Sequence, residues 1–576
     1  MGLFDRLRGG DDARVAFVGI DGVPYSLIDD HPEQFENLAA MAREGSAGEI
    51  DSIVPPESSA CWPALTTGRN PGETGVYGFQ DRKTDSYETY VPMGSHVQCD
   101  RLWDRVAESG RDATVMNVPV TFPPQRNVQR MVSGFLTPGG VDRGALPEPF
   151  ASDLASMDYR IDVDSGLGHH DDKSEFIADA HETIDRRMEA FRTYVRKDDW
   201  DLFFGVFMTT DRVNHFLFGD YVNDGEYKEE FMEFYAKVDD YLGELRKMLD
   251  DEVTMVVASD HGFTYQDYEV NLNTWLAEEG WLSYRDRYDV YLNRWLAEQG
   301  YLAGADADRP DDLDPETVAF SAESGEIALN TVGQDPPGEL DDDREAVREE
   351  LGEALADLTA PDGTELVAEV REPDSTGGDA GPDLVVEPVD DEERVVAFHE
   401  DFEGLDDDDA EWLDRGHRNL GDITGDTQAY SFTPGRLYLN LAGREPRGSV
   451  PEEDYESVRD ELRAELEALE GPDGRPVAKR VVDGESAFRG EHDEIAPDLV
   501  VIPNHGFDLK GTFKEKDGVF TTGPRNGMHS FENTALFVDD PDARIDDADL
   551  FDIAPTILDL LDVDFERTDF DGASLV

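Results

Sequence analysis

Three aspartates each follow a short apolar run of the type that forms a buried strand. They are Asp21 after residues 15–20, Asp211 after residues 202–208 and two threonines, and Asp260 after residues 253–259. In an open parallel sheet, ligands bind beyond the carboxyl ends of the strands, so carboxylates at such positions converge on one crevice. A single aspartate at a strand end usually caps the helix that follows. Three of them, two with histidine neighbours, favour a shared ligand site instead.

Histidines accompany two of these aspartates. His215 stands four residues after Asp211, which places both side chains on one face of a helix that begins there, and His261 follows Asp260 directly. His529 lies in a further glycine-containing loop. Carboxylates mixed with imidazoles are typical of zinc or manganese sites rather than of calcium or magnesium sites. Six such ligands are enough for two divalent metal ions about 4 Å apart, so we expect two ions, zinc in the first place and manganese as the alternative.

The nucleophile for such a site is expected within residues 55–72, where Ser58 stands at a predicted helix start. A hydroxyl that touches a metal ion at a helix start is deprotonated by the ion and, in part, by the helix dipole. In most proteins a serine at this position is only the N-cap of the helix. From the residues alone, both roles of Ser58 stay open.

Taken together, these motifs resemble the type I phosphodiesterase/nucleotide pyrophosphatase family of the alkaline phosphatase superfamily. The resemblance covers most of the chain, and its order and spacing are more specific than any single motif. Its motifs are Gly19-Ile20-Asp21-Gly22, Pro55-Pro56-Glu57-Ser58, Thr67-Gly68 with Pro71-Gly72, Asp211 with His215, Ser259-Asp260-His261-Gly262, His529, and Asp552-Ile553-Ala554-Pro555-Thr556.

The resemblance implies a ligand set and a mechanism. One metal ion would be held by Asp211, His215 and His529, and the second by Asp21, Ser58, Asp260 and His261. The hydroxyl of Ser58 would attack phosphorus in line and form a covalent phosphoryl-serine, which water would then hydrolyse. A shift of register by one residue would give the nucleophilic role to Ser59.

The elements that must position these residues alternate along the chain. The apolar runs before the aspartates are separated by amphipathic stretches such as residues 177–194 and 228–248, with apolar residues at helical spacing. Strands that alternate with helices predict an α/β domain with a largely parallel sheet. With the resemblance, the expected fold is an alkaline-phosphatase-like α/β core with a central, mostly parallel sheet flanked by helices, plus an inserted α+β cap that contains a duplicated module.

Two sequence repeats lie in the middle of the chain. Residues 272–280 (LNTWLAEEG) return as 292–300 (LNRWLAEQG), and segments within about 315–390 return within about 425–505. Two copies are too few for a solenoid, so a duplicated insertion module is the better interpretation. The aspartate-rich join between the longer copies, residues 401–409, is typical of a solvated linker.

The predicted domain organisation follows from these repeats. The catalytic core comprises residues 10–270 and 510–576, and residues 271–509 form the inserted cap. Because His529 lies beyond that insertion, the metal site needs both ends of the chain.

The charge balance excludes several partners. The chain has 576 residues with 50 Lys and Arg against 132 Asp and Glu, a formal net charge of −82. Charge of this density destabilises a compact state by self-repulsion, unless molar salt shortens the screening length to about 3 Å. Because the bias extends over the whole chain, we expect the proteome of a salt-accumulating halophile, such as a halophilic archaeon, rather than a local acidic tract. An acidic surface also opposes polyanions, so no nucleic-acid groove is expected.

The sequence also argues against a membrane span, a signal peptide and a disulfide framework. No run approaches 18 apolar residues, so no membrane span is expected, and residues 1–8 hold no apolar stretch of the kind found in signal peptides. Two cysteines do not make a disulfide framework. We expect a cytoplasmic protein, and the sequence leaves its oligomeric state open.

The predicted function is metal-dependent hydrolysis of a phosphodiester or pyrophosphate bond in a small phosphate ester or a nucleotide-like substrate. One alternative is phosphomonoester hydrolysis or phosphate transfer on the same two-metal site. An alternative of another class is a binding protein that retains the fold without turnover. Competent residues at all seven presumed ligand positions argue against the last alternative.

Overall fold

The computed structural model describes residues 13–84, 86–197, 199–303, 317–329, 344–373, 382–400, 411–415, 418–513 and 518–576. Residues 1–8 and the aspartate-rich join at 401–409 lie outside these ranges, and so do the predictions made on them.

The strands are β1 (Arg14–Ile20), β2 (Ser46–Ile50), β3 (Asp81–Arg82), β4 (Thr89–Tyr90), β5 (Ala113–Val118), β6 (Arg130–Ser133), β7 (Ala145–Leu146), β8 (Leu202–Phe207), β9 (Val253–Ala258), β10 (Gly262–Asn271), β11 (Asp286–Tyr291), β12 (Ala319–Glu323), β13 (Glu326–Leu329), β14 (Val367–Arg371), β15 (Leu384–Pro388), β16 (Arg394–His399), β17 (Leu413–Asp414), β18 (Ala429–Phe432), β19 (Arg436–Leu439), β20 (Ala478–Asp483), β21 (Leu499–Pro503), β22 (Gly506–Lys510), β23 (Phe520–Thr521), β24 (Gly527–Ser530) and β25 (Thr534–Val538). The α-helices are α1 (Tyr25–Asp29), α2 (Glu36–Glu44), α3 (Ser58–Thr67), α4 (Pro71–Thr74), α5 (Leu102–Glu108), α6 (Gly140–Gly144), α7 (Glu148–Ser156), α8 (Ser174–Val195), α9 (Thr209–Asn223), α10 (Lys228–Met248), α11 (Leu272–Glu278), α12 (Leu292–Glu298), α13 (Arg344–Ala356), α14 (Tyr455–Ala468), α15 (Gly484–Ala487) and α16 (Ile553–Leu560).

The largest sheet has eight strands in the order β2-β25-β9-β1-β8-β5-β6-β7. The five strands from β9 to β6 pair in parallel, whereas β25 is antiparallel to both β9 and β2, and β7 is antiparallel to β6. The apolar runs predicted as strands form β1, β5, β8 and β9. The prediction of an α/β fold around a large central sheet is therefore confirmed, and the sheet is mixed.

Helices cover both faces of this sheet, which is why its central strands β5 and β8 are buried along their whole length. Successive side chains of β8 point to opposite faces. On one face, Phe203 and Phe207 pack against Phe191 of α8. On the other, Phe204 stacks on Phe17 and meets the edge of Trp62 from α3.

The chain forms two compact units, one of residues 1–276 with 428–576 and one of residues 277–427. Besides the large sheet, the first unit contains a sheet of order β18-β19-β21-β20, with α14 between β19 and β20, and a sheet in which β10 lies between β22 and β23. The second unit contains a sheet of order β12-β13-β15-β14, with α13 between β13 and β14, and a sheet in which β11 lies between β16 and β17. The two sets of elements have the same order.

The same side-chain-to-backbone contacts recur in both sets. Asn273 of α11 exchanges two hydrogen bonds with the backbone of Ser431, and Asn293 of α12 does so with the backbone of Ser321. The second predicted copy, residues 425–505, lies in the same compact unit as the large sheet. The treatment of residues 271–509 as a single inserted cap stays a prediction, as does the duplication.

Candidate active site

Three neighbouring parallel strands present the aspartates. Asp21 follows β1, Asp260 follows β9 after one serine, and Asp211 lies in the first turn of α9, which begins two residues after β8. Because β9, β1 and β8 are adjacent and parallel, their carboxyl ends lie at one edge of the sheet. All three aspartates are buried. The geometry brings together the carboxylates that the sequence predicted to converge.

The histidines reach this edge by three routes. One turn of α9 separates His215 from Asp211 and leaves His215 Nε2 3.5 Å from Asp211 Oδ1. His261 follows Asp260, and its Nε2 lies 3.7 Å from Asp260 Oδ2. His529 arrives on β24, which pairs antiparallel with β10, and its Nε2 lies 3.2 Å from Asp211 Oδ1.

The backbone fixes the orientation of each imidazole. Nδ1 of His215 lies 3.2 Å from the carbonyl oxygen of Gly527, Nδ1 of His261 lies 3.0 Å from that of Gly262, and Nδ1 of His529 lies 2.8 Å from that of Pro56. A carbonyl accepts only, so Nδ1 carries the proton in each ring and the lone pair of Nε2 faces the carboxylates. This second contact of the ring is the usual arrangement of metal-binding histidines.

Ser58 stands at the first residue of α3, and its hydroxyl lies against the cluster. Its Oγ is 3.2 Å from Asp21 Oδ1 and 3.1 Å from His261 Nε2. Trp62, one turn further along α3, donates from Nε1 to the other oxygen of Asp21 at 2.6 Å. The hydroxyl that reaches these two groups belongs to Ser58, although Ser59 is also buried and lines the same cavity.

The donor set fits divalent cations. Two groups of ligand atoms lie close enough to hold an ion, Asp211 with His261 and His529, and Asp21 with Asp260 and His261. His215, which the sequence assigned to the ion held by Asp211 and His529, lies beside the first group, with its Nε2 3.1 Å from Nε2 of His529. Among the residues that the structure describes, the buried atoms Asp211 Oδ1 and Asp260 Oδ2 accept no hydrogen bond. A cation would satisfy both atoms.

The protonation behaviour of the cluster agrees with cation binding. Burial and the neighbouring carboxylates raise the pKa of Asp21 well above its usual range and that of Asp260 to about 7. Burial also lowers the pKa of His215 and His261, which keeps both imidazoles in the neutral form that ligates metals. Three buried carboxylates at such short range repel one another, and positive charge between them removes that repulsion.

A cavity of about 560 Å³ opens in front of the cluster. Its apolar lining includes Phe79 and Phe135, whose rings lie nearly parallel with centroids 6.4 Å apart, and Leu136, which is 50% exposed. Its cationic lining consists of Arg212, Arg436, Lys479, Lys510 and Arg525. Space of this size and mixed lining is typical of a site for a small organic molecule.

Family comparison agrees with the site. A family model described as "Type I phosphodiesterase / nucleotide pyrophosphatase" matches residues 15–391 and 386–532. The chain belongs to this family. The matched residues include every predicted ligand of this type I phosphodiesterase/nucleotide pyrophosphatase family member, from Asp21 to His529. Membership supports an enzyme that hydrolyses phosphate esters, and members of the family are metal-dependent.

Several solved structures resemble this family member over nearly its whole length. Phosphonoacetate hydrolase from Sinorhizobium meliloti 1021 in complex with phosphonoformate is 14% identical, with a TM-score of 0.48 and coverage of 96% of each chain. The alkaline phosphatase PafA is 11% identical, with a TM-score of 0.45 and coverage of 97% of this chain and 98% of that one. Murine ectonucleotide pyrophosphatase/phosphodiesterase 5 is 11% identical, with a TM-score of 0.42 and coverage of 97% of each chain. No curated protein matches the sequence.

Within the described ranges, no helix combines the length and the apolar character that crossing a bilayer requires.

Sequence reasoning missed several residues that support the cluster. Trp62 and Thr210 bind Asp21, the first at its carboxylate and the second at its backbone carbonyl. Glu57 accepts a hydrogen bond from the backbone of Phe79, and Arg436 lines the cavity from the second repeat copy. One sequence signal could have pointed to Arg436. It stands at the position that Glu326 occupies in the first of the two repeated segments, so the charge is reversed between them.

Proposed function

We propose that this chain hydrolyses phosphodiester or pyrophosphate bonds with two bound metal ions and a covalent phosphoryl-serine on Ser58. The observation that carries the proposal is the position of Ser58 Oγ, 3.2 Å from Asp21 Oδ1 and 3.1 Å from His261 Nε2 at the edge of the carboxylate–imidazole cluster. Membership of a family of phosphodiesterases and nucleotide pyrophosphatases supports the same chemistry. We also propose that the chain belongs to the alkaline phosphatase superfamily.

The proposed ligand sets divide the cluster in two. One ion would be held by Asp211, His215 and His529, and the other by Asp21, Ser58, Asp260 and His261. Carboxylates with imidazoles favour zinc, with manganese as the alternative. Bound there, two cations supply Lewis acidity that stabilises negative charge on the attacking and leaving oxygens.

The reaction proceeds in two displacements at phosphorus. In the first, the hydroxyl of Ser58 loses its proton to solvent, Oγ bonds to phosphorus, and the bond from phosphorus to the leaving oxygen breaks with its electron pair. In the second, water attacks the phosphoryl-serine and loses a proton, the bond from phosphorus to Oγ breaks, and Oγ recovers a proton. The net change is the addition of one water across the scissile bond.

The local structure prepares Ser58 for this role. The residue occupies the first position of α3, a ten-residue helix whose N-terminal partial positive charge stabilises the ionised hydroxyl. Trp62 holds the Asp21 carboxylate in place from the next turn. Because α3 is buried along its length, the hydroxyl has little freedom to turn away from the cluster.

The net charge of −82 sets the assay conditions. We infer that the chain folds and works in multimolar salt, because self-repulsion of this size is relieved only where the screening length is short. Activity should therefore be measured in multimolar KCl.

The test compares bis-p-nitrophenyl phosphate with p-nitrophenyl phosphate in the presence of zinc or manganese. We expect faster cleavage of the diester, loss of at least about 10³-fold of the rate in Ser58→Ala, and a much smaller effect of the matched variant Ser59→Ala. Rapid acid quenching with labelled substrate should trap phosphate on Ser58.

Each other outcome is informative. Preference for the monoester would move the chain to phosphomonoester hydrolysis or phosphate transfer. An unchanged rate in Ser58→Ala together with a strong loss in Ser59→Ala would move the nucleophile by one residue. A purified, metal-loaded protein that cleaves neither ester nor any nucleoside pyrophosphate would contradict the proposal and favour a binding role.

A further inference from the structure

The chain carries 132 aspartates and glutamates, and five arginines and lysines line its cavity. Four of these five cationic side chains form an ion pair with a carboxylate. Arg212 binds Asp162 at 2.9 Å, Arg436 binds Asp81 at 2.8 Å, Lys479 binds Glu532 at 2.6 Å, and Lys510 binds Asp508. Their positive charge is neutralised inside the protein.

Arg525 is the exception. The structure gives its guanidinium no hydrogen bond and no ion pair with any described residue, and its central carbon lies 5.9 Å from the centre of the Phe216 ring. The side chain is partly buried and lines the cavity. In a protein this rich in aspartate and glutamate, an arginine that faces a cavity without a carboxylate has its donors available for a ligand.

The backbone around Arg525 is held firmly beside His215. The amide of the next residue, Asn526, donates to the carbonyl oxygen of His215 at 2.9 Å. The side chain of Asn526 accepts from the amide of Gly219 at 3.0 Å and donates to Asp220 at 2.8 Å. Arg525 therefore sits on a segment anchored to α9, next to one end of the cluster.

Ser58 lies at the other end. Close contacts in space connect Ser58 to His261 and then to the other two histidines. The ring centroids of His261 and His529 are 4.0 Å apart, and those of His529 and His215 are 4.9 Å apart. Arg525 directly precedes Asn526, whose backbone amide binds the carbonyl oxygen of His215. In an in-line displacement, the leaving oxygen departs on the side of phosphorus opposite to the nucleophile. A leaving group displaced by Ser58 is thus directed towards the end of the cluster where Arg525 stands.

We propose that Arg525 is a specificity-determining residue that binds a negatively charged leaving group, such as the phosphate chain released from a phosphoanhydride. The inference rests on the proposed function, because it takes Ser58 as the nucleophile. Its physical basis is the pairing of an arginine fork with phosphate oxygens, which is stronger than a neutral hydrogen bond and is lost when the leaving group has no anionic phosphate oxygens in the bound substrate.

The experiment uses two substrates that transfer the same thymidine 5′-phosphoryl group. Thymidine 5′-triphosphate releases pyrophosphate, whereas the p-nitrophenyl ester of thymidine 5′-phosphate releases p-nitrophenol. In Arg525→Gln, we expect kcat/KM for the triphosphate to fall about 10- to 100-fold and that for the aryl ester to change less than about threefold. Arg525→Lys should recover part of the loss, and Arg126→Gln, an exposed arginine outside the cavity, controls for the change in net charge.

A second readout does not depend on turnover. In the Ser58→Ala background, calorimetric titration should show that Arg525→Gln weakens binding of the triphosphate and leaves binding of the aryl ester unchanged. Equal losses for both substrates, or no loss for either, would overturn the role of Arg525 while the proposed hydrolysis stands. Failure of the parent protein to cleave either substrate would instead count against the proposed function.

Discussion

The two repeated sets of strands, residues 319–399 in one compact unit and 429–510 in the other, share a scaffold. In each set, an aspartate before the third strand of the sheet accepts from the backbone of the second strand, Asp383 from Leu329 at 2.8 Å and Asp498 from Leu439 at 2.7 Å. In each set an asparagine of a preceding helix binds a serine of the first strand. These buried polar contacts join residues 28 to 158 positions apart, and each of them lies within one compact unit.

The second set differs by a buried charged network that joins it to residues 77–82. Arg436 donates to Asp81, and both side chains are 1% exposed. Arg82 donates to Glu445 and to the hydroxyl of Tyr430. Strand register aligns Arg436 with Glu326 and Tyr430 with Phe320, so the first set lacks these groups.

This network leads to Ser58, the proposed nucleophile. Arg436 also donates to the carbonyl oxygen of Gln80, the amide of Phe79 donates to Glu57, and Glu57 directly precedes Ser58. The difference teaches that the asparagine and aspartate contacts within each compact unit are kept by both sets, whereas among the described residues only the second set has charged pairs that connect it to the candidate active site.

The largest effect is expected from Arg436→Gln. Loss of the guanidinium leaves Asp81 buried without its ion-pair partner, which should lower the free energy of unfolding by about 3–5 kcal/mol. Turnover should fall as well, because residues 79–81 lose their anchor. Denaturant unfolding and diester hydrolysis in high salt measure both. The matched variant Glu326→Gln should change stability by less than about 0.5 kcal/mol, and an equal loss in both variants would remove the contrast between the sets.

A smaller effect is expected from Glu445→Gln. Arg82 keeps its hydrogen bonds to the hydroxyl of Tyr430 and the carbonyl of Glu494. We therefore expect the free energy of unfolding to fall by about 2–3 kcal/mol. The double variant with Arg82→Gln should lose less than the sum of the single changes, because both remove one interaction. Strict additivity would show that the two side chains do not act as a pair.

The smallest effect concerns the contacts that both sets share. Asn273→Ala and Asn293→Ala each leave backbone groups of a buried serine without a hydrogen-bond partner. Each change should lower the free energy of unfolding by about 1–3 kcal/mol. Hydrogen exchange should show faster opening at Ser431 in the first variant and at Ser321 in the second, to similar extents. Only Asn273→Ala should slow hydrolysis. Slowed hydrolysis in Asn293→Ala would mean that the first set also supports catalysis.

Much of the site was predictable because strand ends and short spacings are local. The aspartates after β1 and β9, the four-residue spacing of Asp211 and His215, and the pair Asp260-His261 each need only one element to be placed correctly. Ser58 was predictable from its motif and from the helix start that the structure also has. The roles of Trp62 and Arg436 were not, because their partners lie on other elements.

The sequence by itself determined the α/β class, the family and the residue types of the cluster. The spacing of apolar residues, the residues that follow each strand and the order of the motifs can all be read along the chain. Only the tertiary structure decided that His529 faces Asp211, because that contact depends on the pairing of β24 with β10. It also decided which set of strands shares a compact unit with the carboxylate–imidazole cluster, and that Arg525 faces the cavity without a carboxylate among the described residues. Such facts depend on which distant groups meet after folding, and no local pattern encodes them.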